Sequence, residues 1–134
     1  MLTNRKAIPK EVRLQVYHKY NCRCAYCGCY IEYKDMQVDH LESVYKAKLA
    51  KKDINETLDN YMPACRACNF YKSSMSLEDF RGMVSTLHER LEKQFIYRLA
   101  KKYGMVVEKP MPKFYFEIYN EETKEEGTFK NDDE

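Results

Sequence analysis

Cys24-Ala25-Tyr26-Cys27-Gly28 opens, and Cys65-Arg66-Ala67-Cys68 closes, a segment that carries Val38-Asp39-His40-Leu41 near its middle. Each Cys-x-x-Cys pair can hold one side of a tetrahedral zinc ion, because two thiolates three residues apart converge across a tight turn. Gly28, directly after the second cysteine, suits the positive φ such a knuckle often adopts. The clamp would join knuckles about forty residues apart in the chain. Between them lies a carboxylate next to an imidazole, groups suited to holding a cation and activating water.

Zinc is set against three alternatives. A redox Cys-x-x-Cys would need a βαβ context, and none is visible in the pattern. Buried free thiols and iron at a four-thiolate site are the others, and zinc is the more usual occupant. Cys22 and Cys29 lie outside the x-x spacing and read as spare thiols, able to exchange into the site or to bind a second ion weakly.

The 134 residues suit one domain, or one domain with an appendage. No apolar run approaches the roughly 20 residues needed to span a bilayer, and the start of the chain has no apolar leader core. The expectation is a cytoplasmic, reducing setting, where six cysteines read as metal ligands and thiols rather than disulfides. Net charge is +2, but residues 117–134 hold eight acidic side chains and two lysines. The tail is acidic and the body basic, which suits a phosphate backbone, although a solvated surface is the bland reading of each basic cluster.

Outward from the knuckles, residues 9–20 read as a short amphipathic helix, with Pro9 at its first turn. Tyr30 to Tyr33 and residues 36–41 read as strands, the latter by alternation. Residues 42–58 fit either a helix or a long loop. Ser76-x-x-Asp79 caps a new helix, and Phe80, Val84, Leu87, Leu91, Phe95 and Leu99 recur at helical spacing as a core stripe. That helix would run from 77 to 103 with a break near Thr86–Glu89. Residues 113–119 alternate like a strand, and 120–134 form a frayed acidic tail. The class is α+β, divided as 1–75 for the core, 76–119 for a helical extension and strand packing on it, and 120–134 for the tail. His18 and His88 read as structural or exposed. Tyr17, Tyr20, Tyr97 and Tyr103 read as core, whereas Tyr26, Tyr61 and Tyr71 are candidates for contact with bases or phosphates.

The two knuckles, Val38-Asp39-His40-Leu41, Asp59-Asn60-Tyr-Met-Pro63 and Cys68-Asn69-Phe-Tyr-Lys72 together resemble the HNH endonuclease superfamily, the zinc-stabilised branch of the His-Me finger (ββα-metal) nucleases. The likeness covers about residues 10–75. It implies a ββα-metal core and metal-dependent hydrolysis of DNA phosphodiester bonds, leaving 5′-phosphate and 3′-hydroxyl ends. His40 would be the general base, and Asp39 and Asn69 would ligate catalytic Mg²⁺ or Mn²⁺. Asn60 would fix the geometry around the histidine, and Cys24, Cys27, Cys65 and Cys68 would hold structural zinc. Asn69 stands where the family often has His, and its amide oxygen is still a hard ligand.

Lys72 and Arg66 are candidate phosphate contacts, each weighed against an ordinary exposed side chain. A homodimer, or a partner protein supplying specificity, would suit cutting of both strands. The competing readings are a zinc-stabilised nucleic-acid-binding module without turnover and an accessory protein with a vestigial centre. Compact proteins of this kind are common in phage and bacterial genomes.

Overall fold

The computed structural model describes residues 7–110 and 113–132, with side chains described to residue 124. Contacts divide the chain into two compact units, Met1–Ser74 with Lys113–Glu134, and Met75–Pro112.

The first unit is built on helix α1 (Lys10–Lys19) and a two-stranded antiparallel sheet. Pro9 precedes α1 at φ −57°, already set for a helical turn. Val16, Tyr17 and Tyr20 are buried. Three polar side chains of α1 satisfy loop carbonyls. Tyr17 Oη donates to Ile31 O at 2.8 Å, Arg13 Nη2 to Tyr33 O and Met36 O at 3.0 and 2.7 Å, and Lys19 Nζ to Leu58 O and Tyr61 O at 2.9 and 2.8 Å. These bonds explain one departure from the sequence reading. Tyr30 to Tyr33 is not a strand. Its carbonyls are met from α1 rather than by a neighbouring strand, leaving one isolated bridge, Arg23 with Tyr30, and a 3-10 turn at Tyr33–Asp35.

Strand β1 (Gln37–His40) pairs with β2 (Tyr61–Ala64), placing Asp39 opposite Met62 and His40 opposite Tyr61. Between the strands, the undecided segment resolves as helix α2 (Val44–Leu49), capped by the buried Ser43 accepting from Lys46 N, followed by loop and a 3-10 turn at Leu58–Asn60. Helix α3 (Arg66–Lys72) follows β2 at once, because Cys65 is its N-cap and accepts from Cys68 N. It ends at Ser73, which adopts φ +51°. The first knuckle is tied to the sheet by Ala25 N donating to Pro63 O at 2.8 Å.

The expected strand at 113–119 is instead the start of helix α7 (Tyr115–Asp132), which runs on through residues 120–132. Glu117 Oε1 accepts from Phe114 N at 3.1 Å, and Tyr115 N and Phe116 N donate to Tyr26 O and Ala25 O. The first helical N–H groups, which an α-helix leaves unpaired, are thereby met by the knuckle. Aromatic rings make the apparent alternation. Phe114 and Phe116 pack on Tyr26, and Tyr119 on Tyr20, so more than one face of this short stretch is covered and a period of two no longer discriminates.

In the second unit the expected long helix is three: α4 (Leu77–Ser85), α5 (Leu87–Glu92) and α6 (Phe95–Lys102). Ser76 caps α4, accepting from Asp79 N at 3.1 Å. Thr86 marks the first break, and Gln94, with φ −92° and ψ 124°, the second. Lys101 bridges Glu92 and Glu108. The breaks turn the predicted core stripe out of line. Phe80 is buried, but Leu87 and Leu91 are exposed, Phe95 is 68% exposed and Tyr103 is 75% exposed.

Candidate metal and active site

The first knuckle is held by Cys24 N donating to Cys29 O and Gly28 N to Cys24 O, with Gly28 at φ +80°. It faces the N-terminus of α3, which supplies Cys65 and Cys68. The four Sγ atoms of Cys24, Cys27, Cys65 and Cys68 all lie within 4.8 Å of one another, and Cys27 and Cys65 are 3.8 Å apart. A regular tetrahedron with Zn–S bonds of about 2.3 Å has edges of about 3.8 Å. The cluster therefore has the size a zinc ion needs. Cys22 and Cys29 are not part of it; Cys22 Sγ sits 3.5 Å from His18 Nδ1.

Charge inside the cluster is unequal. The hydrogen bond from Cys68, with others from the knuckle backbone, holds the Cys24 thiol down at about 5. Burial pushes Cys27 up to about 12, and the same bond to Cys24 raises Cys68. Four thiolates this close repel one another, and a divalent cation removes that repulsion.

Asp39 and His40, adjacent on β1, point to opposite faces, as strand geometry requires. Asp39 faces α3 and is buried. Its Oδ2 accepts from Tyr26 Oη at 2.5 Å and lies 3.0 Å from Lys72 Nζ. Burial, then the Asp39 charge, raise the Tyr26 phenol well above its ordinary range. Two residues back on the same face, Gln37 Oε1 accepts from Asn69 Nδ2 at 2.6 Å. Gln37–Asn69 and Asp39–Lys72 are thus successive rungs between β1 and α3, and Asp39 and Asn69 stand on neighbouring rungs without a bond between them.

Lys72 therefore differs from its sequence reading. Its side chain is 0% exposed and paired with Asp39, so it presents no charge to an external phosphate. Among the described residues its ammonium makes no hydrogen bond of good direction; the Asp39 contact is ionic. Arg66 is exposed at the start of α3. Tyr26 and Tyr61 are buried, the first against Asp39 and the second against the His40 ring, so neither offers a face to a base.

His40 lies on the other face. Its Nε2 is 2.6 Å from Glu56 Oε1, and its ring meets Tyr61 edge-on at 5.2 Å. Asn60 is buried beneath this region. Its Oδ1 accepts from Glu42 N at 2.6 Å, and its Nδ2 donates to Glu42 O and Asn55 O at 3.2 and 2.9 Å. One amide thereby clips both ends of the segment between the strands. Gln37 and Glu56 were not legible as site residues: Gln37 is an ordinary polar strand position, and Glu56 sits in a polar stretch with no periodicity.

Residues 24–74 match the family model described as HNH endonuclease. No curated protein matches the chain. The match spans both knuckles, β1, β2 and α3, the elements that assemble the cysteine cluster and the Asp39–His40 pair.

Proposed function

We propose, on the premise that residues 24–74 form an HNH endonuclease domain, that the protein is a divalent-metal-dependent nuclease that hydrolyses DNA phosphodiester bonds. The observation that carries this reading is His40. It sits at the end of β1 with 11% of its side chain exposed, one residue from a buried carboxylate and across from a clip built on Asn60. An imidazole there can act as the general base that takes a proton from water attacking phosphorus. Cys24, Cys27, Cys65 and Cys68 would hold structural zinc.

Asp39 and Asn69 supply hard oxygen donors that suit Mg²⁺ or Mn²⁺. Asp39 meets Tyr26 and Lys72 through Oδ2, and Asn69 meets Gln37 through Nδ2, so Asp39 Oδ1 and Asn69 Oδ1 are the oxygens for a cation. A cation bound there would offset charge on the scissile phosphate and on the leaving 3′ oxygen. The lysine-rich surface around α2, with Lys46, Lys48, Lys51 and Lys52 exposed, suits the nucleic-acid backbone by charge.

Two observations favour a second reading, a zinc-stabilised nucleic-acid-binding or accessory protein without turnover. Lys72 already pairs with Asp39, and Asp39 and His40 point to opposite faces of β1, so one phosphate would have to meet both faces. Supercoiled plasmid incubated with the protein in Mg²⁺ or EDTA, beside His40→Ala, decides between the two. Metal-dependent nicking or linearisation, reduced about 10²-fold or more in the variant, is the expected result. DNA binding with no cutting by either protein would count against the nuclease reading and favour the second.

A further inference from the structure

We infer that Glu56 is the positioning residue of His40, holding the imidazole in the tautomer protonated at Nε2; as a step in catalysis this rests on the nuclease reading above. An ionised carboxylate only accepts hydrogen bonds, so at the 2.6 Å contact between Glu56 Oε1 and His40 Nε2 the proton belongs to the ring nitrogen. In that tautomer the basic lone pair is on Nδ1.

The placement of Glu56 is built rather than incidental. Asn60 Nδ2 holds Asn55 O at 2.9 Å, Asn60 N donates to Thr57 O at 2.9 Å, and Thr57 Oγ1 donates to Asn55 Oδ1 at 2.6 Å. The residues on both sides of Glu56 are thus tied to the base of β2. On the other side Tyr61, directly opposite His40 in the sheet, sets the ring edge-on. Among the described residues, Tyr61 meets the His40 ring edge-on and Glu56 meets its Nε2. Asn60 therefore acts on the histidine through the loop carrying Glu56 as well as through the turn at Glu42.

The test uses the full-length, zinc-loaded, ¹⁵N-labelled protein. Imidazole nitrogen shifts distinguish the two neutral tautomers, and the His40 signals are identified by their loss in His40→Asn. The parent is expected to hold His40 as the Nε2–H form. Glu56→Ala and Glu56→Gln should both lose that preference while keeping zinc stoichiometry and helicity, since an alanine has no acceptor and an amide can present either its oxygen or its nitrogen. In the plasmid assay kcat should fall about tenfold to a hundredfold with KM changed less than twofold. Unchanged tautomer populations in both variants would overturn the assignment, whatever the cleavage result. A tautomer that changes in a parent protein unable to cut DNA would uphold the contact and count against the nuclease reading instead.

Discussion

Lys72 and Asp39 form an ion pair at 3.0 Å in which the lysine side chain is 0% and the aspartate 5% exposed. This pair ties the end of α3 to β1, and Tyr26 adds the first knuckle through the same carboxylate oxygen. Three parts of the first unit, distant in sequence, thus meet at one carboxylate. Removing both charges from water is costly, and the pair recovers that cost only while both partners are present.

Lys72→Met should therefore destabilise the protein by about 3–5 kcal/mol, because it leaves a buried carboxylate without its cation. The double variant Lys72→Met with Asp39→Leu should recover most of that loss. Urea unfolding of the single and double variants measures the difference. Equal stability of Lys72→Met and parent would mean that the lysine does not hold Asp39 in solution.

Gly28→Ala should cost about 1–3 kcal/mol, as a non-glycine residue at positive φ does. Gly28 has φ +80°, and a Cβ there would come within 3.3 Å of the Tyr115 side chain. That tightness couples the knuckle to α7, so the variant should also lower zinc retention under mild chelation. Thermal unfolding together with zinc content by mass spectrometry checks both.

Zinc affinity should fall steeply on acidification. Metal ligation needs thiolates, whereas in the metal-free cluster Cys27 is pushed up to about 12 and Cys68 is raised as well. Both must release protons when zinc binds, so protons compete with the metal throughout the neutral range and the complex strengthens as pH rises. Cys24, held down at about 5, adds proton competition only in acid. Competition with a chromogenic chelator between pH 6 and 8 reads this directly. Cys65→Ser or Cys68→Ser should lose stoichiometric zinc and the fold of the first unit together.

Removing residues 121–134 should raise non-specific DNA affinity and steepen its salt dependence, because the deleted segment is acidic and the rest of the chain is basic. The truncation keeps Tyr119, whose ring packs on Tyr20 at 5.3 Å, so the anchor of α7 survives. Fluorescence anisotropy with a labelled duplex over a salt series is the measurement. Identical binding by both proteins at every salt concentration would remove the shielding idea.

The local signals in this chain were short-range and therefore legible. Cysteines three residues apart converge wherever a tight turn follows, and here Cys24, Cys27, Cys65 and Cys68 do cluster. Helix α1 and strand β1 were readable from Pro9, the apolar spacing and the alternation around Asp39, and Ser76 begins α4 as its cap chemistry requires. The order of Asp39-His40 and Asn60 between the knuckles, with Asn69 directly after the second, carried the family resemblance.

The rest needed tertiary structure. Whether Lys72 meets solvent or Asp39 depends on how α3 lies against β1, which no spacing of three residues encodes. Glu56 lies sixteen positions after His40, beyond helix α2, and reaches it on a path tied down by the Asn60 clip. Tyr115–Tyr119 is helical because the knuckle carbonyls of Ala25 and Tyr26 accept its first N–H groups, so a contact ninety residues away in sequence overrides a local alternation. The spacing of metal ligands is local covalent geometry and survives in the sequence; the choice of partner for each buried charge is made only when the elements pack.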